Sequence, residues 1–147
     1  TIKKYNLLLA DDDTDDCIFF TEALHELPLI VNLLTVHDGV ELMQLLTTEE
    51  TTLPDILFLD LNMPRKTGME CLSEIKNNNK LKDLPIVIYS TSCHSDTVNL
   101  LYANGANYYI RKPAEFWQLK KTMHEVLTLI IQKNISKPGK DSFVIQP

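Results

Sequence analysis

Short apolar runs alternate along the chain with longer segments whose apolar residues recur every three or four positions, a pattern that predicts βαβ units. The runs predict strands at Tyr5 to Ala10, Val31 to Val36, Ile56 to Leu59, Ile86 to Tyr89 and Tyr108 to Ile110. A first helix is predicted from about Thr14 to Leu27, with Ile18, Phe20, Ala23, Leu24 and Leu27 on one side and Pro28 as its stop. The second begins at Asp38-Gly-Val-Glu41 and the third at Thr67-Gly-Met-Glu70, where a cap residue is followed three later by Glu as in a capping box. The third dissolves into Asn77-Asn-Asn79, and a fourth runs from about Asp96 to Ala103 before the Asn104-Gly105 turn. The fifth carries Phe116, Leu119, Met123, Val126, Leu127, Ile130 and Ile131 as an amphipathic stripe. Right-handed crossovers would fold these elements into an α/β domain, a doubly wound five-stranded parallel sheet of order 2-1-3-4-5 with five helices. The domain is expected over residues 1–132, and residues 133–147, with one apolar patch at Phe143-Val144-Ile145, are expected to be a flexible C-terminal tail rather than a docked arm, too short for an output domain.

Composition narrows the classes of function. At 147 residues and 44% hydrophobic, the chain suits one domain with a proper core. It carries 14 basic and 20 acidic residues, net charge -6, and lacks a Lys/Arg stripe, which disfavours nucleic acid as a partner. Cys17, Cys71 and Cys93 are odd in number and widely spaced, as in a cytosolic protein with reduced core thiols. No run is long enough to span a membrane, and Thr1 to Asn6 is too polar for a signal peptide, so a cytoplasmic location is expected.

The chemistry gathers where the strands end. Asp60 follows Ile56-Leu-Phe-Leu59, a run apolar on both faces as a central parallel strand must be, and Pro64 stops the ladder soon after. Leu7-Leu-Leu-Ala10 runs straight into Asp11-Asp12-Asp13. If these strands are neighbours, Asp11, Asp12 and Asp60 crowd into one volume, where a proton or a cation must be shared. Hard oxygen ligands without His or Cys favour Mg²⁺. Asp13, or Thr14, is assigned instead to capping the first helix. The fourth strand leads into Ser90-Thr91 and the fifth into Lys112-Pro113, so acid, acid, hydroxyl and ammonium converge on one crevice. Each alone reads as a cap or a solvated side chain; together they resist that reading.

The set Asp11-Asp12, Asp60 before Leu-Asn-Met-Pro, Ser90-Thr91 and Lys112-Pro113 resembles the receiver domain of two-component response regulators, the CheY-like family, over roughly Asn6 to Leu129. The resemblance implies that Asp60 accepts a phosphoryl group from a histidine kinase or phosphotransfer protein. It implies Mg²⁺ held by Asp12 directly, by Asp11 mainly through water, by Asp60, and by the backbone carbonyl of Asn62. Ser90 and Lys112 would meet phosphoryl oxygens, Tyr109 would change rotamer on activation, and Lys112-Pro113 would be a cis peptide. Thr91, where a smaller residue is common, narrows the path expected for attacking water, and Ala114 replaces an aromatic residue usual after Lys-Pro. Tyr108 should face away from Tyr109 and be structural. The histidines His25, His37, His94 and His124 are scattered, and the methionines are gap-fillers.

Three other readings compete. A haloacid-dehalogenase-type phosphatase would share the Asp nucleophile and Mg²⁺ but needs a second Asp where Asn62 stands. A flavodoxin-like carrier would have its phosphate repelled by Asp11 to Asp13. A pseudo-receiver adaptor, independent of phosphorylation, would not need the complete residue set. The receiver reading makes the protein a signalling domain rather than an enzyme, whose output passes to a downstream protein target. The resemblance extends to stand-alone receivers that serve hybrid or phytochrome-type kinases, and the last helices offer a face for a homodimer.

Overall fold

The computed structural model describes residues 4–49, 52–91, 94–132 and 138–145. In chain order the elements are β1 (Lys4–Ala10), α1 (Thr14–His25), β2 (Ile30–Val36), α2 (Gly39–Thr47), β3 (Ile56–Leu59), α3 (Gly68–Lys76), β4 (Ile86–Ser90), α4 (Ser95–Ala103), β5 (Tyr108–Arg111), α5 (Phe116–Gln132) and β6 (Val144–Ile145). All strand pairs are parallel, in the order β2-β1-β3-β4-β5-β6. The fold is therefore the expected doubly wound parallel sheet of order 2-1-3-4-5 with five helices, extended by one strand.

Alternation along the strands divides the core in two. Leu8, Ala10, Leu57, Leu59, Ile86, Ile88 and Tyr109 face α2, α3 and α4. Their neighbours Leu7, Leu9, Ile56, Phe58, Val87, Tyr89, Tyr108 and Ile110 face α1 and α5. Tyr108 and Tyr109 thus lie on opposite faces, as strand periodicity requires. On α1 the buried stripe is Cys17, Phe20, Ala23 and Leu24, while Ile18 is 52% exposed. A step of three or four from Phe20 leads back to Cys17, so Ile18 falls off the stripe to which the sequence pattern assigns it. Phe20 anchors this layer by edge-to-face contact with Phe58 and Tyr89, at centroid distances of 5.0 and 5.3 Å.

Two helix starts show how far local pattern carries. At α3 the capping box is complete: Thr67 Oγ1 accepts from Glu70 N, and Glu70 Oε1 accepts from Thr67 N. At α2 the box is displaced. Asp38 Oδ1 accepts from Glu41 N, but Glu41 reaches one residue further back, to the His37 N–H.

The end of the chain adds a sixth strand to the expected five, and residues 138–145 of the expected tail lie against the domain. Residues 138–145 are packed, whereas residues 133–137 lie outside the described ones. Phe143 is 1% exposed and edge-on to Tyr102 at 5.2 Å and Tyr109 at 6.4 Å. Its carbonyl accepts from Tyr109 N at 2.9 Å, and Tyr102 Oη donates to Pro138 O at 2.8 Å. The physical reason is the open edge of β5: its backbone donors need partners, and Phe143-Val144-Ile145 gains apolar burial by supplying them. The Lys112-Pro113 peptide is corrected. It is trans, since the described residues contain no cis bond. Trans is the lower-energy isomer for any residue before proline, and here it coexists with a Lys112 N–H bond to Ser90 O at 2.8 Å. No described helix is long and apolar enough to cross a membrane.

Candidate functional site

Register brings the acidic residues together. Ala10 is paired with Leu59, so Asp11 and Asp60 leave adjacent strands side by side, and Asp60 N extends the ladder to Ala10 O at 2.9 Å. Leu59 is in turn paired with Ile88, and Ser90 with Arg111, which sets Ser90 and Lys112 at the same edge. Asp11 is fully buried, Asp60 is 4% exposed, and Asp12 is exposed. One carboxylate oxygen from each of the three lies within 4.8 Å of the others, a spacing suited to a divalent cation.

The polar atoms argue that this crevice is built for a further group. Asp11 Oδ2 is buried, with the Lys112 ammonium as its ion-pair partner at 2.8 Å. Ser90 Oγ is buried and has no hydrogen-bond partner among the described residues. An orphaned buried hydroxyl is costly, and Ser90 Oγ, beside three carboxylate oxygens of like charge, fits a cation and an anionic ligand.

Lys112 provides the opposing charge. Its Nζ is 2.8 Å from Asp11 Oδ2, 2.8 Å from Asp16 Oδ2, 3.5 Å from Asp60 Oδ2, and 5.3 Å from the centre of the Tyr89 ring. Burial alone would lower the Lys112 pKa, but bonds to Asp11 and Asp16 and the charge of Asp60 raise it overall. For Asp60 burial dominates and pushes the carboxyl up to about 6; Lys112 pulls it down, Asp11 pushes it up, and the Asn62 backbone amide pulls it down.

The α3 side of the crevice depends on glycine. A Cβ at Gly68 would run into the carbonyl oxygen of Asp60, so α3 can begin this close to the strand end only without a side chain there. Arg65 reverses the loop with φ of 69°, the left-handed region, and pairs with Asp38 at 3.3 Å.

Of the residues singled out from sequence, Asp11, Asp12, Asp60, Ser90 and Lys112 share this crevice. Thr91 is exposed just beyond Ser90, and Asn62 has an exposed side chain, which suits a role through its backbone. Tyr109 is wholly buried on the α4 face, against Phe143. Asp13 caps α1, its Oδ1 accepting from Asp16 N at 3.1 Å. Two neighbours escaped the sequence reading. Asp16 grips Lys112 from the first turn of α1, and His37 Nδ1 lies 3.1 Å from the Asp11 carbonyl. His37 was legible in principle: Val36 is paired with Ala10, so the residue after β2 must neighbour the residue after β1. Cys17 and Cys71 are buried thiols whose pKa burial pushes up to about 11, and they are chemically quiet; Cys93 lies outside the described residues.

Comparison with known proteins matches this geometry. Residues 7–124 match the model of the response regulator receiver domain. The response regulator Rcp1 of Synechocystis is 32% identical over 124 residues, covering 82% of this chain and 84% of that protein. The crystal structure of the Mn²⁺-bound form of Rcp1 superposes with a TM-score of 0.77 at 30% identity, covering 92% of this chain and 99% of that one. The phosphorylated cyanobacterial phytochrome response regulator RcpA gives 0.81 at 32% identity, covering 93% and 100%. With its parallel sheet, its acidic edge and these relatives, the chain belongs to the response regulator receiver family.

Proposed function

We propose that Asp60 is the phosphoacceptor of this receiver, taking a phosphoryl group from a histidine kinase or phosphotransfer protein in a Mg²⁺-dependent reaction. The observation that carries the reading is the buried Asp60 carboxylate beside the Asp11-Asp12 pair and within 3.5 Å of Lys112, with the unpartnered Ser90 hydroxyl at the adjoining strand end. Asp11, Asp12, Asp60 and the Asn62 backbone carbonyl would hold the cation. When bound, it neutralises charge on the phosphoryl oxygens, the main requirement in transfers of this kind.

The chain's own residues do the rest. A carboxylate oxygen of Asp60 forms the bond to phosphorus as the donor's phosphorus–nitrogen bond breaks, and the nitrogen's electron pair leaves with the donor imidazole. Lys112, 3.5 Å from Asp60, supplies a second positive charge. Ser90 Oγ turns its free hydroxyl to a phosphoryl oxygen, and the space it vacates lets the Tyr109 ring move inward, changing the surface read by a downstream protein target. Thr91, exposed beside Ser90, narrows the approach of hydrolytic water. The cytoplasm is the compartment this reading requires, and a homodimer through the last helices is a further form the output could take.

The test is acid-labile phosphate uptake from acetyl phosphate with Mg²⁺, followed by intact mass. The wild type should gain one phosphoryl group, and Asp60→Asn and Asp12→Asn should each lose nearly all of it. Uptake by Asp60→Asn at the wild-type rate would overturn the assignment. The phosphatase and carrier readings are not favoured, since Asn62 stands where a phosphatase needs its acid and the acidic loop after β1 repels a bound phosphate.

A further inference from the structure

Lys112 has more partners than the phosphoacceptor reading uses. Its ammonium has three protons to share, and two of its three carboxylate contacts are short. Those to Asp11 and Asp16 are both 2.8 Å, whereas the one to Asp60 is 3.5 Å. Asp11 belongs to the oxygen cluster with Asp12 and Asp60, so its charge is shared with a cation whenever one is bound. Asp16 lies outside that cluster, so its charge is not among those a bound cation would share. Asp16 is also fixed in place: it sits in the first turn of α1, where its N–H is bonded to Asp13 Oδ1 at 3.1 Å.

We infer that Asp16 is a positioning residue that draws the Lys112 ammonium away from Asp60 and so limits its grip on a phosphoryl group there. The inference rests on Asp60 being the acceptor. Its physical content is competition for one ammonium: a carboxylate on α1 against the oxygens that arrive on Asp60. The Asp16 side chain is 33% exposed, which screens the pull in part, and the substitution Asp16→Asn leaves no cavity. In that variant Lys112 keeps Asp11 and Asp60 as its carboxylate partners, and its freed proton turns to the group bound on Asp60.

The test uses beryllofluoride, a phosphoryl mimic that binds a carboxylate, titrated at saturating Mg²⁺ and followed by ¹⁹F NMR. Asp16→Asn should bind it about three- to tenfold tighter than wild type, and Asp16→Glu, which keeps the charge, should bind as wild type. Loss of a negative charge would favour any anion through space, so the cycle is closed with Lys112→Met. Asp16→Asn should change nothing in that background, since the effect passes through the lysine. As a second readout, the Lys112 ¹⁵Nζ resonance should shift in Asp16→Asn alone, even if the double variant is unstable. A wild-type signal unaltered by Asp16→Asn, or the same gain without Lys112, would overturn this inference and leave the acceptor reading standing. A wild type with no bound fluoride signal would overturn both.

Discussion

Asp60 is 4% exposed, and burial outweighs the Lys112 ammonium in pushing its carboxyl up to about 6. A carboxyl whose folded pKa lies above its unfolded value adds stability below the unfolded value, near 3.9, and that stability is lost as pH rises through about 6. Ionised Asp60 therefore costs stability at neutral pH. Asp60→Asn should stabilise the cation-free protein by about 1–2 kcal/mol at pH 7.5, and the gain should vanish below about pH 4. Urea unfolding of both proteins in chelator at the two pH values measures it. The same burial constrains the neighbouring loop. At Gly68 an added Cβ would meet the Asp60 carbonyl oxygen and the Leu61 Cα, backbone atoms that cannot step aside. Gly68→Ala should destabilise by about 2–4 kcal/mol in thermal unfolding, through displacement of the start of α3.

Elements differ in how much of their stability is local, and this decides what could be read in the sequence. The α3 start is written in four consecutive residues, so Thr67 and Glu70 announce it and the structure repeats it. Thr67→Ala should accordingly cost about 1 kcal/mol, read by urea unfolding, with little change in the rest of the fold. The acidic edge was legible for a related reason: Asp11, Asp60, Ser90 and Lys112 each follow or end an apolar run, and parallel neighbours bring such ends together. Asp16 was not, because its meeting with Lys112 depends on how α1 lies across the sheet, which no local pattern states. Nor was the place of β6: Phe143-Val144-Ile145 are good strand formers, but so short a run does not say which edge it joins. Their place comes from the open edge of β5 and from Phe143, closed between Tyr102 and Tyr109. Phe143→Ala should cost about 3–5 kcal/mol in urea unfolding and free the segment from residue 138 onward to limited proteolysis. The trans Lys112-Pro113 peptide belongs with these: context selects the isomer, and the dipeptide alone does not.

At the scale of the whole molecule, the net charge of -6 and the acidic cluster at the strand ends make distinguishable claims on a cation. Surface charges are screened by any salt, with a Debye length of about 8 Å at physiological ionic strength, and exposed pairs such as Lys120–Glu26 contribute little. If Mg²⁺ binds only where Asp11, Asp12 and Asp60 are brought together, it stabilises the folded state by mass action instead. That contribution should be about 1.4 kcal/mol at ten times the dissociation constant and about 2.7 kcal/mol at a hundred times. Lys112 works against it, because the ammonium already neutralises Asp11 and must share that oxygen when the cation arrives. The expected outcome is a Tm that rises with the logarithm of Mg²⁺ concentration in wild type, rises less in Asp12→Asn, and rises from a lower concentration in Lys112→Met. NaCl at equal ionic strength separates the two origins: if it reproduces the rise, the effect belongs to the diffuse charge of the surface. If only the divalent ion produces it, and Asp12→Asn weakens it, the folded state is being held by the strand-end carboxylates.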